Sequence, residues 1–194
     1  MSMIKHYLGF LAESVRRAFN RTRARMLFFN KSGSLRKPYH SCGMKYWNVG
    51  KKVDIDSYSR IDCYESGTSV PFLLLGDHVK IGSFCTILCS TRLVIENNVR
   101  FADHVFITTE NHGTNPEKGD YILQGLVSKN VFIGEHCWIG EKVIILPGVS
   151  IGRWSIVGAG SVVTKDIPEY CIAVGNPAKV IKKYDKEKHC WVKI

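Results

Sequence analysis

Residues 108–116, TTENHGTNP, place one imidazole, His112, among Asn, Gly and Pro, between two stretches of short, regular apolar alternation. Histidine is the side chain whose ordinary charge change falls nearest neutral pH. A neutral His112 can therefore take the proton of a poorly acidic hydroxyl as that oxygen attacks. By itself the residue is better read as a polar loop side chain, and what surrounds it decides. The other reactive residue types exclude more than they suggest. Seven cysteines (Cys42, Cys63, Cys85, Cys89, Cys137, Cys171 and Cys190) are scattered without a C-x-x-C pair. That speaks against a disulfide framework or a zinc knuckle and for buried free thiols in a reducing cytoplasm. His78, His104, His112 and His136 lack the paired spacing of a histidine zinc site, so no metal is expected.

The 194 residues suffice for one domain with a real core and an appendage. Apolar runs such as PFLLLG and MLFF are too short to span a bilayer, and the first residues lack the layout of a secretory signal. The net charge of +10 is placed at one end. Residues 1–52 carry 12 Lys/Arg against Glu13, whereas residues 53–194 carry 15 basic against 16 acidic side chains. The main domain is near neutral, so binding of nucleic acid is not expected.

The regular stretches have a period of six. From Ile133, steps of six land on Ile139, Ile145, Ile151, Val157 and Val163, and the residue after each is Gly at 134, 140, 152 and 158. Shorter series run through Val49, Ile55 and Ile61, through Leu75, Ile81 and Ile87, and through Ile95, Phe101 and Ile107. A six-residue period is the mark of a parallel β-helix, with three sides to each coil. The aliphatic residues point to the axis, small residues fill the remaining interior, and glycine is expected to allow the bend between sides. The period fails over residues 111–130, which predicts a loop leaving the coil with His112 on it.

These hexads, together with WIGEKVIILPGVSIGRWSIVGAGSVVTKDIPEYCIAVGNPAKVIKK over residues 138–183, closely resemble the hexapeptide-repeat acetyltransferases, nearest the galactoside/maltose and polysaccharide O-acetyltransferases. The resemblance covers roughly residues 50–185. It implies an all-β, left-handed parallel β-helix, a homotrimer, and acetyl-coenzyme A (acetyl-CoA) lying between adjacent subunits. It also implies His112 as general base and the backbone amide of Glu141 as oxyanion donor, the Glu141 side chain being immaterial to that role. For the coenzyme it implies Trp138 flanking the pantetheine arm, the Ala159 backbone bonding its amides, and Thr164, Lys165, Lys179 and Lys182 at the phosphates and adenine end. Two departures leave the acceptor open: the N-terminus does not match the segment that supplies an acceptor-binding Asp, and Ser83 or Phe84 stands near the position of a family Asn.

The expected organisation is a basic helical segment over 1–48, a β-helix over 49–167 with its excursion at about 111–130, and a coenzyme-contacting C-terminal tail over 168–194. In the first segment Ile4, Leu8, Leu11, Val15, Ala18 and Phe19 form one helical stripe, with Arg16, Arg17, Arg21, Arg23 and Arg25 clustered toward its end. Such a helix either lies on anionic lipid or packs on the coil or a neighbouring subunit. The expected activity is acetyl-CoA-dependent O-acetylation of a carbohydrate hydroxyl, in the cytoplasm or at the inner face of a bacterial cytoplasmic membrane. The alternatives are acetylation of an antibiotic or amino sugar, and a non-catalytic assembly scaffold.

Overall fold

The aliphatic residues spaced six apart fall into three columns, one on each side of a three-sided coil. In the computed structural model, which describes residues 23, 26–28, 31–37 and 39–194, the sides are sheets of nine, six and five strands, parallel within the coil. Ile133 lies beneath Ile151 in the five-stranded sheet, Ile139 beneath Val157 in the nine-stranded sheet, and Ile145 beneath Val163 in the six-stranded sheet. The earlier series continue the same columns downward, Val49–Leu75–Ile95–Ile133 being one of them. All of these side chains are buried. Each aliphatic thus packs on its equivalents about 4.8 Å above and below, while backbone groups pair from coil to coil.

The corners show why small polar residues recur between the aliphatics. Ser59, Ser155 and Ser161 are buried, and their hydroxyls donate to the carbonyls of Gly82, Pro168 and Gly158. Cys85 and Cys137 occupy equivalent places, their thiols against the carbonyls of Ala102 and Gly152. The bend itself is made differently from the sequence expectation. Gly134 and Gly140 do not have positive φ; a Cβ on either would lie 2.7 Å from a backbone nitrogen of the next coil, so glycine is required there for close approach. Positive φ falls two residues later, at His136, Lys142 and Trp154, and earlier at Lys52, Tyr58, His78, Phe84, Asn98 and His104. Each such L-residue costs about 1–2 kcal/mol, which the stacked columns must offset.

Every departure from the six-residue step lies at one edge, between the six- and five-stranded sheets: residues 43–46, 64–71, 90–91, 109–130 and 164–166. The coil also starts earlier than expected. Ser34–Leu35 and His40–Cys42 pair in parallel with the coil above, so the last part of the supposed helical segment 1–48 is β structure. Met44 and Trp47 close the lower end of the core, and Arg23 donates to the carbonyls of Met44 and Lys45. The apolar stripe of residues 4–19, and Arg16, Arg17, Arg21 and Arg25 with it, lie outside the described residues. At the upper end Cys171–Val174 completes a coil strand, and Lys179–Asp185 and Cys190–Lys193 add antiparallel to the same sheet. The tail from residue 168 is therefore part of the fold that covers the coil's end.

Replacing Ile145 by Ala removes a fully buried side chain between two others of its column. The expected loss is about 2–5 kcal/mol, read as a lower guanidinium midpoint at an unchanged slope.

Candidate active site

The excursion carrying His112 is a hydrogen-bonded arm. Glu110–His112 runs antiparallel to Leu126–Ser128, with His112 opposite Leu126. Between them lie two short 3-10 turns, Pro116–Lys118 and Tyr121–Gln124, capped by the Asn115 and Asp120 side chains. The Gln124 carboxamide donates to the carbonyls of Asn115 and Gly119 and accepts from the Asn115 N–H. This explains the Asn, Gly and Pro around the histidine: they build the turns that return the chain. At the base Ser90 N–H donates to the Thr109 hydroxyl, the Ser90 and Ser128 hydroxyls lie 2.7 Å apart, and Lys129 N–H donates to the Thr109 carbonyl. The His112 ring is exposed and has no hydrogen-bond partner among the described residues. The arm also presents Ile122 and Leu123, 72% and 81% exposed in the single chain.

Sequence reasoning missed Glu110. It lies two residues before His112, on the same face of the strand. It is 8% exposed, with Oε2 unpartnered, and burial pushes its carboxyl above the usual carboxylate range. The signal available was an acid at i−2 from the candidate base, next to residues 111–130 where the period fails.

Trp138 faces outward from the nine-stranded sheet. Glu141 and Ala159 are stacked one coil apart at the edge between the nine- and six-stranded sheets, where Gly160 N–H donates to the Glu141 carbonyl. At the lower position of that column the Ser83 N–H is capped by the Asp103 carboxylate of the next coil, at 2.8 Å. Above Glu141 stands Ala159, which offers no side-chain acceptor, and the Glu141 N–H is unpaired among the described residues. The Glu141 carboxylate is engaged: Oε1 lies 3.8 Å from His104 Nδ1 and 3.5 Å from Lys142 Nζ.

Lys179 and Lys182 are exposed on the strand added to the nine-stranded sheet. Thr164 and Lys165 are exposed at the edge between the six- and five-stranded sheets, two coil steps above the base of the arm. No carboxylate pairs with Lys165, Lys179 or Lys182 among the described residues. One chain thus brings Trp138, Glu141 and Ala159 together with Lys179 and Lys182 on the nine-stranded side. It roots the arm of His112, with Thr164 and Lys165, on a different edge.

The cysteines divide: Cys42 and Cys190 are exposed and the other five are buried. Cys85 and Cys137 are buried, which pushes their thiols up to about 11. Among the described residues no three His, Cys, Asp or Glu side chains converge as a metal ion would require. No described helix is long and apolar enough to cross a membrane.

Residues 130–165 match the family model described as bacterial transferase hexapeptide (six repeats). Over 153 residues the chain is 35% identical to WbbJ of Escherichia coli (strain K12), named provisionally as a lipopolysaccharide biosynthesis O-acetyl transferase; the match covers 75% of this chain and 76% of that one. A maltose O-acetyltransferase from Clostridium difficile 630 aligns with a TM-score of 0.50 at 32% identity, over 84% of this chain and 73% of that one. A hexapeptide-repeat acetyltransferase of Vibrio cholerae, complexed with acetyl coenzyme A, aligns with a TM-score of 0.55 at 25% identity, over 90% and 79%. The chain belongs to the hexapeptide-repeat acetyltransferases, and its coil is the left-handed parallel β-helix of that family.

Glu110→Gln tests the buried carboxyl. A raised folded-state pKa means that ionisation costs stability as pH rises above the unfolded value of about 4.3. The variant should melt higher than the parent at neutral pH and should show little gain near pH 4, where the unfolded parent already binds most of its proton. Thermal melts at the two pH values measure this.

Proposed function

We propose that the protein transfers the acetyl group of acetyl-CoA to a carbohydrate hydroxyl, in a site completed by two copies of the chain within a homotrimer. The observation that carries this reading is the separation of the two candidate catalytic groups. His112 and the Glu141 N–H spring from different edges of one prism, and the His112 arm ends in exposed Ile122 and Leu123. An apolar tip of that kind calls for a partner surface. A neighbouring copy that offers its Glu141 edge to the arm joins the base to the oxyanion donor.

In that site the neutral His112 imidazole takes the hydroxyl proton as the acceptor oxygen forms a bond to the thioester carbonyl carbon. The Glu141 N–H donates to the carbonyl oxygen as it becomes an oxyanion. When the tetrahedral intermediate collapses, the carbon–sulfur bond breaks and the coenzyme thiolate takes the proton held on His112. Trp138 flanks the pantetheine arm, and the Ala159 backbone bonds its amides. Thr164 with the unpaired Lys165, Lys179 and Lys182 holds the phosphates and adenine end. Support for the coenzyme comes from the Vibrio cholerae relative with acetyl coenzyme A bound, and support for a sugar acceptor from the lipopolysaccharide and maltose O-acetyltransferases.

The amide can be removed without disturbing the corner. Pro147 occupies the place equivalent to Glu141 one side later, followed by Gly148 where Lys142 stands, so Glu141→Pro suits the backbone and deletes the N–H together with the carboxylate, whose separate contribution Glu141→Gln reports. Turnover, followed as thiol release from acetyl-CoA against a panel of sugars, should fall about 10²–10³-fold, while Glu141→Gln retains most of it. His112→Ala should cost about 10²–10⁴-fold with coenzyme binding intact. Full turnover in Glu141→Pro or His112→Ala would overturn the assignment.

A further inference from the structure

We infer that the outer face of the nine-stranded sheet carries a second binding site, beside the transfer site, for an uncharged run of sugar units. Of the chain's four tryptophans, Trp47 is in the core and the other three, Trp138, Trp154 and Trp191, line one groove of about 620 Å³ together with Tyr170 and Tyr184. That volume falls within the range of about 300–1,000 Å³ usual for small-ligand sites. Trp138 and Trp154 are 57% and 46% exposed. The neighbours of these rings fix their orientation and leave them accessible. His136 stacks on Trp154 with centroids 4.1 Å apart, and Tyr184 meets Trp191 edge to face at 5.3 Å.

Trp154 and Tyr170 stand at corner positions with φ of 59° and 58°, where Asn is also at ease. The charge around the groove says which ligand. Arg153, whose guanidinium lies over Tyr170, is neutralised by Glu169 at 2.8 Å, and one ammonium, that of Lys186, lies 4.3 Å from the centre of the same ring. The unpaired Lys165, Lys179 and Lys182 do not line the groove. An aromatic floor with Tyr, Trp and His polar atoms, and a single ammonium that is itself seated on a ring, suits a ligand of C–H faces and hydroxyls, which is the chemistry of neutral sugars; the several phosphates of the coenzyme need a cluster of free cations.

Position gives the site its use, and here the inference rests on the acetyl-transfer reading. Trp138, which flanks the pantetheine arm, is where the groove meets the transfer site; it precedes Glu141 by three residues, about 10 Å of extended chain. A glycan lying in the groove can thus leave one unit at the Glu141 corner while its neighbours are held on the rings. Acceptors of several units should be favoured over single sugars.

The test needs no turnover. Tryptophan emission is followed while the purified protein is titrated with neutral hexasaccharides of glucose, galactose and N-acetylglucosamine, with the matching monosaccharides, and with coenzyme A. At least one hexasaccharide should change the emission, and its monosaccharide should bind about tenfold more weakly. Trp154→Asn, which relieves the corner while removing the ring, and Trp191→Ala on the C-terminal strand should each weaken the hexasaccharide about tenfold and leave coenzyme affinity unchanged. Silence toward every hexasaccharide overturns the site. So does coenzyme A displacing the sugar, or a change of oligomeric state in the Trp variants, which would assign the groove to the coenzyme or to a second copy. Thiol release with monosaccharide acceptors, measured separately, reports on the transfer reading alone.

Discussion

The constraint on which everything else depends is the vertical spacing of the coil. Parallel strands hydrogen-bond at about 4.8 Å, so each inward residue must fill that rise against its equivalents above and below. Ile, Val and Leu do so in all three columns, and Ser or Cys at the corners fits the remaining space while satisfying a carbonyl. The same spacing forbids a Cβ at Gly134 and Gly140, since the next coil's backbone is already there. It also imposes left-handed backbone at His136, Lys142 and Trp154. The corner strain persists because the columns on either side leave the chain no other path.

A coil so tightly specified has few places for extra residues, and this chain puts them all on one edge. The other two edges stay regular and serve as rails. On one of them Glu141, its neighbour Ala159 and the His104 contact lie in register; on the other, His136, Trp154 and Tyr170 rise in steps. The irregular edge carries the arm that brings His112 away from the coil. Rigid rails with one extended arm per copy suit a site assembled between copies, because the rails set position and the arm supplies reach.

Much of this was legible in the sequence. The six-step series from Ile133 to Val163 required only counting, since every landing is an axis-facing aliphatic. The break that makes the arm was equally plain. The beginning of the coil was harder to see: Leu35 and the strand His40–Cys42 carry no Gly-marked hexads, and residues 43–46 interrupt the step before Trp47. The corner glycines were misjudged because glycine suggests positive φ, whereas here it answers crowding. Glu110 was passed over because burial of an acid cannot be read from a polar neighbourhood. The separation of His112 from Glu141 was countable, however. Glu141 follows Ile139 of one column by two residues, and His112 follows Ile107 of the next column by five. They therefore belong to successive edges.

The most direct measurement is mixing of the two inactive chains. His112→Ala and Glu141→Pro subunits, co-expressed with different tags and purified as mixed assemblies, reconstitute intact sites wherever the His112 of one copy faces the Glu141 amide of another. A site shared between adjacent copies predicts recovery of about one third of wild-type thiol release from acetyl-CoA, because every trimer that holds both chains has one intact site of three. Turnover no higher than that of either parent, in assemblies shown to contain both chains, would contradict it.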